Sequence, residues 1–143
     1  MKKIYGVIGA IVIIVLGYFI FGKGITGNVV GVGESITIPL NEISEKAKFY
    51  EVDGVKFFAI KTRGEIKTAF DACDVCYGSE KGYRQEGDYM VCNNCGNKYA
   101  ISGLGTKNLR GGGCWPGYLP SEVEGENLII KKSELDKGAY RFK

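Results

Sequence analysis

The sequence predicts a mainly β domain of the small α+β class, made of antiparallel strands and preceded by a single transmembrane helix. Glycine provides 22 of the 143 residues and proline only 3, a composition that favours tight turns over long helices. Between Cys73 and Pro120 the apolar pieces are too short for an amphipathic helix. Only the amino terminus carries an uncharged apolar run that could cross a bilayer.

Residues 4–22 form that run, and at 1.5 Å per residue they would span roughly 28 Å, close to the thickness of a hydrocarbon core. Lys2 and Lys3 precede the run and Lys23 follows it. The positive-inside rule then places the amino terminus in the cytoplasm and the rest of the chain outside. We therefore predict a single-pass membrane protein: an anchor over residues 1–23, a glycine-rich linker over 24–34, and an extracytoplasmic, cysteine-rich metal-binding domain over 35–143.

A cleaved signal peptide is the main alternative to an anchor. The apolar core of a signal peptide usually has about 7–15 residues and ends at a small-x-small cleavage site. The run here is longer, and residues 22–30 contain no such site. A buried core helix is the third interpretation.

The strongest local signal in the domain is a hairpin. Residues 49–52 and 55–60 are rich in β-branched and aromatic side chains, and Asp53-Gly54 joins them, a pair typical of a two-residue type I′ turn. Further strands are expected at residues 35–40, 64–70 and 127–131, with a helical turn or loop at 41–48. Residues 133–138 predict a short capped helical turn closed by Gly138, after which Tyr140 and Phe142 pack back onto the sheet.

Charge and composition exclude several functions. The net charge is +3, but three of the 19 basic residues flank the apolar run, and the other 16 balance 16 acidic residues. No basic stripe remains for nucleic acid. The chain has no histidine, which excludes c-type haem attachment, Rieske centres, mixed cysteine–histidine zinc sites and Ser-His or Cys-His catalysis. We therefore expect no enzyme activity.

The cysteines predict a metal site held by sulfur. Two Cys-x-x-Cys pairs are separated by fifteen residues and followed, after eighteen more, by a lone cysteine: Cys73, Cys76, Cys92, Cys95 and Cys114. Two such turns can supply the four corners of a tetrahedron. Gly96 helps the second turn to close, whereas the first has its glycine one place later, at Gly78. Disulfides or free thiols are the alternatives, although five cysteines cannot all pair.

The lone Cys114 follows three glycines and leaves three interpretations open: a fifth ligand, a ligand that displaces one of the other four, or a buried structural thiol. Tyrosines near the cysteines are expected to pack around the site rather than react: Tyr77, Tyr83, Tyr89 and Tyr99. Asp71 and Asp74 flank Cys73. They could be oxygen ligands, hydrogen-bond acceptors near the site, or exposed turn residues.

Four segments in this order resemble the FtrD-like membrane iron–sulfur proteins, and the likeness extends over about residues 35–142: AFDACDVC from Ala69, GYRQEGD from Gly82, VCNNCG from Val91 and GGCWP from Gly112. The resemblance implies an electron-transfer role, accompanying ferrous iron uptake in some members, and the five cysteines as candidate ligands. The chain departs from the family pattern at Trp115, where asparagine is usual before proline, and in its single span.

The expected function is electron transfer through an iron–sulfur cluster or iron, linked to iron transport, with a membrane redox or metal-transport protein as partner. Thiolates also suit zinc and Cu(I). A structural four-cysteine zinc module that mediates protein contacts, and an iron- or copper-binding accessory protein, are therefore the alternatives.

Overall fold

The computed structural model describes residues 30–107 and 113–143, which contain short antiparallel strands, one α-helix and several 3₁₀ turns. The strands are β1 (Val30–Val32), β2 (Ser35–Pro39), β3 (Lys48–Val52), β4 (Val55–Thr62), β5 (Glu65–Cys73), β6 (Tyr83–Glu86), β7 (Tyr89–Cys92), β8 (Lys98–Ala100), β9 (Pro116–Tyr118), β10 (Glu122–Glu124) and β11 (Asn127–Lys131). The helix is α1 (Lys132–Gly138), and the 3₁₀ turns are Leu40–Glu42, Tyr77–Ser79, Ile101–Gly103 and Ala139–Phe142. The expected antiparallel, β-rich domain is confirmed.

The strands form three sheets. The first has the order β1-β2-β11-β10, the second β3-β4-β5-β9 and the third β6-β7-β8. Every pairing among them is antiparallel. The expected strands at 35–40, 49–60, 64–70 and 127–131 are all present. β1 and β6 to β10 were not predicted, because each has only three or four residues.

The second sheet lies between two hydrophobic cores, and β4 shows why. Phe57 and Ala59 point into a core shared with the first sheet and α1, while Phe58 and Ile60 point into a core shared with the third sheet. All four side chains are at most 1% exposed. A strand covered on both faces is apolar at successive positions, which explains the uninterrupted run in the sequence. The second core contains the buried cysteines.

Two-residue hairpins set the register of the central sheet. Asp53 and Gly54 have φ angles of 51° and 80°, so the expected turn with left-handed geometry at both positions is confirmed. Arg63 and Gly64 repeat this geometry between β4 and β5, with φ angles of 50° and 82°. Arginine rarely adopts such angles, so the sequence gives little sign of the second hairpin.

The carboxy-terminal helix differs in detail from its prediction. Lys131 occupies the N-cap position and makes no side-chain cap, so Ser133 does not cap the helix. Gly138 has a right-handed helical conformation, so it does not close the helix as a left-handed C-cap. A Cβ atom at Gly138 would lie 2.1 Å from the Phe70 ring, so glycine is required there by packing. Phe142 packs on Phe70 as expected, at 6.4 Å between ring centroids.

The predicted anchor at residues 1–23 lies outside the described residues, as does most of the predicted linker at 24–34. The part of that linker that is described includes β1, which pairs with β2. Within residues 30–107 and 113–143 no helix is long and apolar enough to cross a membrane.

Candidate metal centre

The first Cys-x-x-Cys turn follows directly from the end of β5. The backbone N–H groups of Val75 and Cys76 donate to the Cys73 sulfur, at 3.3 and 2.8 Å. The 3₁₀ turn Tyr77–Ser79 is hydrogen-bonded back to Cys76. The Ser79 N–H and hydroxyl both donate to the Cys76 carbonyl, at 3.0 and 2.8 Å. Cys73 is buried and Cys76 is partly exposed. Gly78 does not have a positive φ in this turn; Glu80 does, at 55°.

The second turn repeats the first at the end of β7. The backbone N–H groups of Asn94 and Cys95 lie beside the Cys92 sulfur and favour its thiolate form, in the positions that Val75 and Cys76 occupy beside Cys73. Gly96 has a φ of 74°, and its N–H donates to the Cys92 carbonyl at 2.9 Å. The glycine next to Cys95 therefore closes this turn, as the sequence predicted. Cys92 is buried and Cys95 is exposed.

Cys114 reaches the site from the segment that precedes β9. Gly113 precedes it with a φ of 74°, and Pro116, two residues later, pairs with Cys73 where β9 meets β5. The Cys114 carbonyl accepts a hydrogen bond from the Tyr83 hydroxyl. Cys114 is 4% exposed, and its sulfur lies 2.8 Å from the Cys76 sulfur.

Four sulfur atoms converge, and we call them the thiol quartet: Cys76, Cys92, Cys95 and Cys114. All lie within 4.8 Å of one another. A metal with sulfur ligands at about 2.3 Å in a tetrahedron has S–S edges of about 3.8 Å, so small side-chain movements would complete such a centre. The fifth predicted ligand, Cys73, stands outside this group, although its thiol interacts with those of Cys76 and Cys114.

The four thiols of the quartet differ in pKa. Contact with the Cys114 thiol lowers the pKa of Cys76 to about 7, and the Asn97 N–H lowers the pKa of Cys95. Burial raises the pKa of Cys92 and that of Cys114. Cys76 and Cys95, the two less buried thiols, therefore become thiolates most readily. A bound cation would be required to hold all four as thiolates.

Aromatic side chains cover the inner side of the site. Tyr99 packs edge-on against both Tyr83 and Trp115, at centroid distances of 6.5 and 5.2 Å. Tyr83 is 5% exposed, and burial raises the pKa of its hydroxyl. Tyr77 packs edge-on against Tyr140 at the rim. Tyr89, which was also expected near the cysteines, is 47% exposed and pairs with Ala100 instead.

The two aspartates beside Cys73 are hydrogen-bond acceptors. Asp71 accepts the Tyr83 N–H at 2.7 Å, and a Cβ atom at Gly82 would lie 2.5 Å from its carboxylate. Burial raises the pKa of Asp71 to about 6. Asp74, inside the first turn, accepts from the Arg141 guanidinium and the Tyr140 hydroxyl. Sequence reasoning missed these last contacts, because no local pattern links residues 67 positions apart.

A cavity of about 160 Å³ adjoins the quartet. Its lining includes three of the cysteines and two polar residues, one bonded to Tyr83 and the other to Asp74: Cys73, Cys76, Cys92, Asp71 and Arg141. The site therefore has space beside its sulfurs as well as a solvent-exposed edge at Cys95.

Comparison with known proteins gives one family match. Residues 42–142 match a family described as membrane iron-sulfur containing protein FtrD-like. The matched range includes all five cysteines and both turns. No individually curated protein matches the chain.

Proposed function

Because this chain belongs to the FtrD-like family of membrane iron–sulfur containing proteins, we propose that it is an electron-transfer protein whose iron or iron–sulfur centre is bound by cysteine thiolates. The observation that carries the proposal is the convergence of four cysteine sulfurs within 4.8 Å. Sulfur ligands select iron, iron–sulfur clusters, zinc or Cu(I), and the family description favours iron among these. The proposed role is electron transfer rather than catalysis.

The donor set and its surroundings fit such a centre. Backbone N–H groups point at the Cys73 and Cys92 sulfurs, the arrangement that stabilises thiolate ligands. The adjoining cavity leaves room for inorganic sulfide as well as iron. When bound, the centre supplies one-electron chemistry, while the chain holds the thiolates and excludes water.

Exposure is uneven around the site, and this supports transfer to a partner. Tyr83, Tyr99 and Trp115 shield the inner side, whereas Cys95 and its neighbours Asn93, Asn94 and Gly96 are exposed. An electron would therefore leave or enter most directly at the Cys95 edge. Solvent exposure there and hydrogen bonds to sulfur are the means by which the chain would set the reduction potential.

We further propose that residues 1–23 anchor the domain in a membrane with the carboxy-terminal part outside the cytoplasm. The charge-free run at residues 4–22 and the lysines around it support this topology. The partner would then be a membrane redox protein or a metal transporter, with iron transport as the process served. An anchor keeps the domain at high effective concentration near such a partner.

A structural zinc site is the second candidate, and one observation favours it. Cys73, Cys92 and Cys114 are themselves members of the second core, so a metal there would join the third sheet to the central one. Structural zinc contributes directly to folding stability in small domains. Zinc would leave the protein colourless and redox-silent.

Metal and acid-labile sulfide analysis of the full chain, purified anaerobically in detergent, tests the proposal together with a visible spectrum. The expected result is iron, thiolate-to-iron charge-transfer bands and their bleaching by dithionite. One colourless zinc per chain would replace electron transfer by the structural role. Rapidly exchangeable iron or copper would instead indicate an accessory metal-binding protein, and paired disulfides without metal would refute all three.

A further inference from the structure

The two Cys-x-x-Cys turns are equivalent half-sites, yet the structure uses them unequally. In each, the first cysteine ends a strand, is at most 3% exposed and has the backbone N–H groups of the residues two and three positions on beside its sulfur. The surroundings of the Cys73 sulfur therefore suit a metal ligand as well as those of the Cys92 sulfur do. The quartet nevertheless contains Cys92 and leaves Cys73 out.

The fourth member of the quartet is Cys114 and not Cys73. The segment that carries Cys114 runs beside Cys73, because Cys73 pairs with Pro116. The Cys114 sulfur lies 2.8 Å from that of Cys76, and the Cys73 thiol interacts with both. The Cys73 thiol, at the end of β5, and the Cys114 thiol, two residues before β9, thus both lie beside Cys76.

We propose that Cys73 and Cys114 are alternative fourth thiolates, so that the site has two ligand sets that share Cys76, Cys92 and Cys95. This inference rests on the proposed thiolate-bound metal centre and adds which thiols are interchangeable. The two sets differ in their surroundings: Cys73 accepts two N–H donors, whereas the contacts of the Cys114 sulfur described above are with other thiols. N–H donors favour the reduced, more negative form of a centre and so raise its potential.

Cobalt(II) is a suitable probe, because the intensity of thiolate-to-cobalt charge-transfer absorption increases with the number of bound thiolates. The full chain and four variants would be titrated with Co(II) under anaerobic, reducing conditions: Cys73→Ser, Cys114→Ser, Cys95→Ser and the double variant C73S/C114S. Circular dichroism of each reduced apoprotein checks that it remains folded. Alanine at positions 73 and 114 provides a second pair where serine perturbs the core.

The proposal expects C73S and C114S each to keep four thiolates and a Co(II) affinity within about tenfold of the full chain. C95S and the double variant drop to three thiolates and lose about a hundredfold or more in affinity, since each ligand supplies roughly a quarter of the binding free energy of a four-thiolate site. In the iron-loaded form, C114S should have a higher reduction potential than C73S.

Three results would overturn the inference. Loss of a thiolate in only one of C73S and C114S would make that residue the sole fourth ligand. Four thiolates retained in C95S would mean that Cys73 and Cys114 bind together and do not compete for one corner. Equal affinity in the double variant would remove both from the site. A full chain that binds no Co(II) and no iron would instead refute the proposed function itself.

Discussion

The Arg141 guanidinium donates to the Asp74 carboxylate, joining the carboxy terminus to the interior of the first Cys-x-x-Cys turn. The Nε–Oδ1 distance is 3.0 Å, and Nη2 donates to the same oxygen. Arg141 also lies over the rings of Phe70 and Tyr140, 5.1 and 4.4 Å from their centroids. Its side chain is only 10% exposed. The last 3₁₀ turn therefore holds the loop that presents Cys76.

Replacing Arg141 by glutamine should lower the unfolding free energy by about 1–2 kcal/mol, because a charge-assisted hydrogen bond and stacking on two rings are lost. Metal release to a chelator should become faster, since the first turn loses its support. Arg141→Lys should recover only part of the effect, because lysine cannot present two coplanar N–H donors. Denaturant unfolding and chelator-release kinetics provide the measurements.

The matched control for Arg141 is Lys137→Gln in the same carboxy-terminal segment. Lys137 pairs with Glu134 but is 68% exposed, so its removal should change stability by no more than about 0.5 kcal/mol. Release rates in R141Q equal to those of the unaltered chain would show that the carboxy terminus does not support the site.

Gly138→Ala should destabilise the protein although alanine normally stabilises a helix by about 1 kcal/mol relative to glycine. The added Cβ would meet the Phe70 ring at 2.1 Å, and Phe70 is 2% exposed and cannot move away. We expect a loss of about 1–3 kcal/mol from overpacking, measured by urea unfolding.

Two control variants test whether the Phe70 ring causes the loss of stability in G138A. Gly78→Ala adds a Cβ with nothing within 4 Å and at a φ that is not positive, so it should be close to neutral. Phe70→Leu in the G138A background should restore part of the loss by removing the ring atoms in conflict. If G138A unfolds at the same urea concentration as the unaltered chain, the packing explanation for this glycine is wrong.

Gly96→Ala should combine backbone strain with weaker metal binding. Gly96 has a φ of 74°, and a Cβ atom added there would meet nothing within 4 Å. The substitution therefore causes no steric clash, and its cost is the strain of alanine in a left-handed backbone conformation, about 1–2 kcal/mol. Because the Gly96 N–H closes the turn of Cys92 and Cys95, the strain falls on two proposed ligands. Gly125→Ala, at a φ of 58° in the β10–β11 hairpin, carries similar strain far from the site.

Both glycine variants should therefore lose similar stability, while only G96A weakens Co(II) binding, by about tenfold. The comparison uses thermal unfolding of the apoprotein and metal titration side by side. An equal loss of metal affinity in G125A would attribute the effect to global stability.

Tyr50→Phe should maintain or increase stability at neutral pH. Tyr50 is 3% exposed and stacks on Phe57 at 5.3 Å, and its buried hydroxyl has no hydrogen-bond partner among the described residues. An unsatisfied buried hydroxyl costs about 1–3 kcal/mol. Urea unfolding at pH 7 checks the sign, and a less stable Y50F would indicate that the hydroxyl has a partner in solution.

The same residue predicts a pH dependence. Burial, and then the nearby Glu42 charge, raise the pKa of Tyr50 to about 12. A raised folded-state pKa means that the folded state favours the protonated phenol, so its contribution is complete below the unfolded pKa of about 10. That contribution declines as the pH rises from about 10 through 12. The stability difference between Y50F and the unaltered chain should therefore grow in favour of Y50F over this range.

Local chemistry accounts for the parts of the fold that the sequence predicted. Asp53-Gly54 specifies a hairpin through its own backbone preferences, and residues 35–39 and 127–131 carry β-prone runs that form β2 and β11. The spacing of the two Cys-x-x-Cys pairs likewise predicts a four-sulfur site, because each turn positions its thiols locally. These features depend on neighbours in the sequence, and a single chain contains that information.

The sequence by itself determined the hairpin, the antiparallel β class and the five candidate thiols. Only the tertiary structure decided which four sulfurs converge, because Cys114 reaches Cys76 through the pairing of β9 with β5, across 38 residues. It also revealed that Arg141 holds Asp74 and that Gly138 is required by Phe70. These are contacts between surfaces brought together by burial of two hydrophobic cores, and no short-range pattern in the chain encodes them.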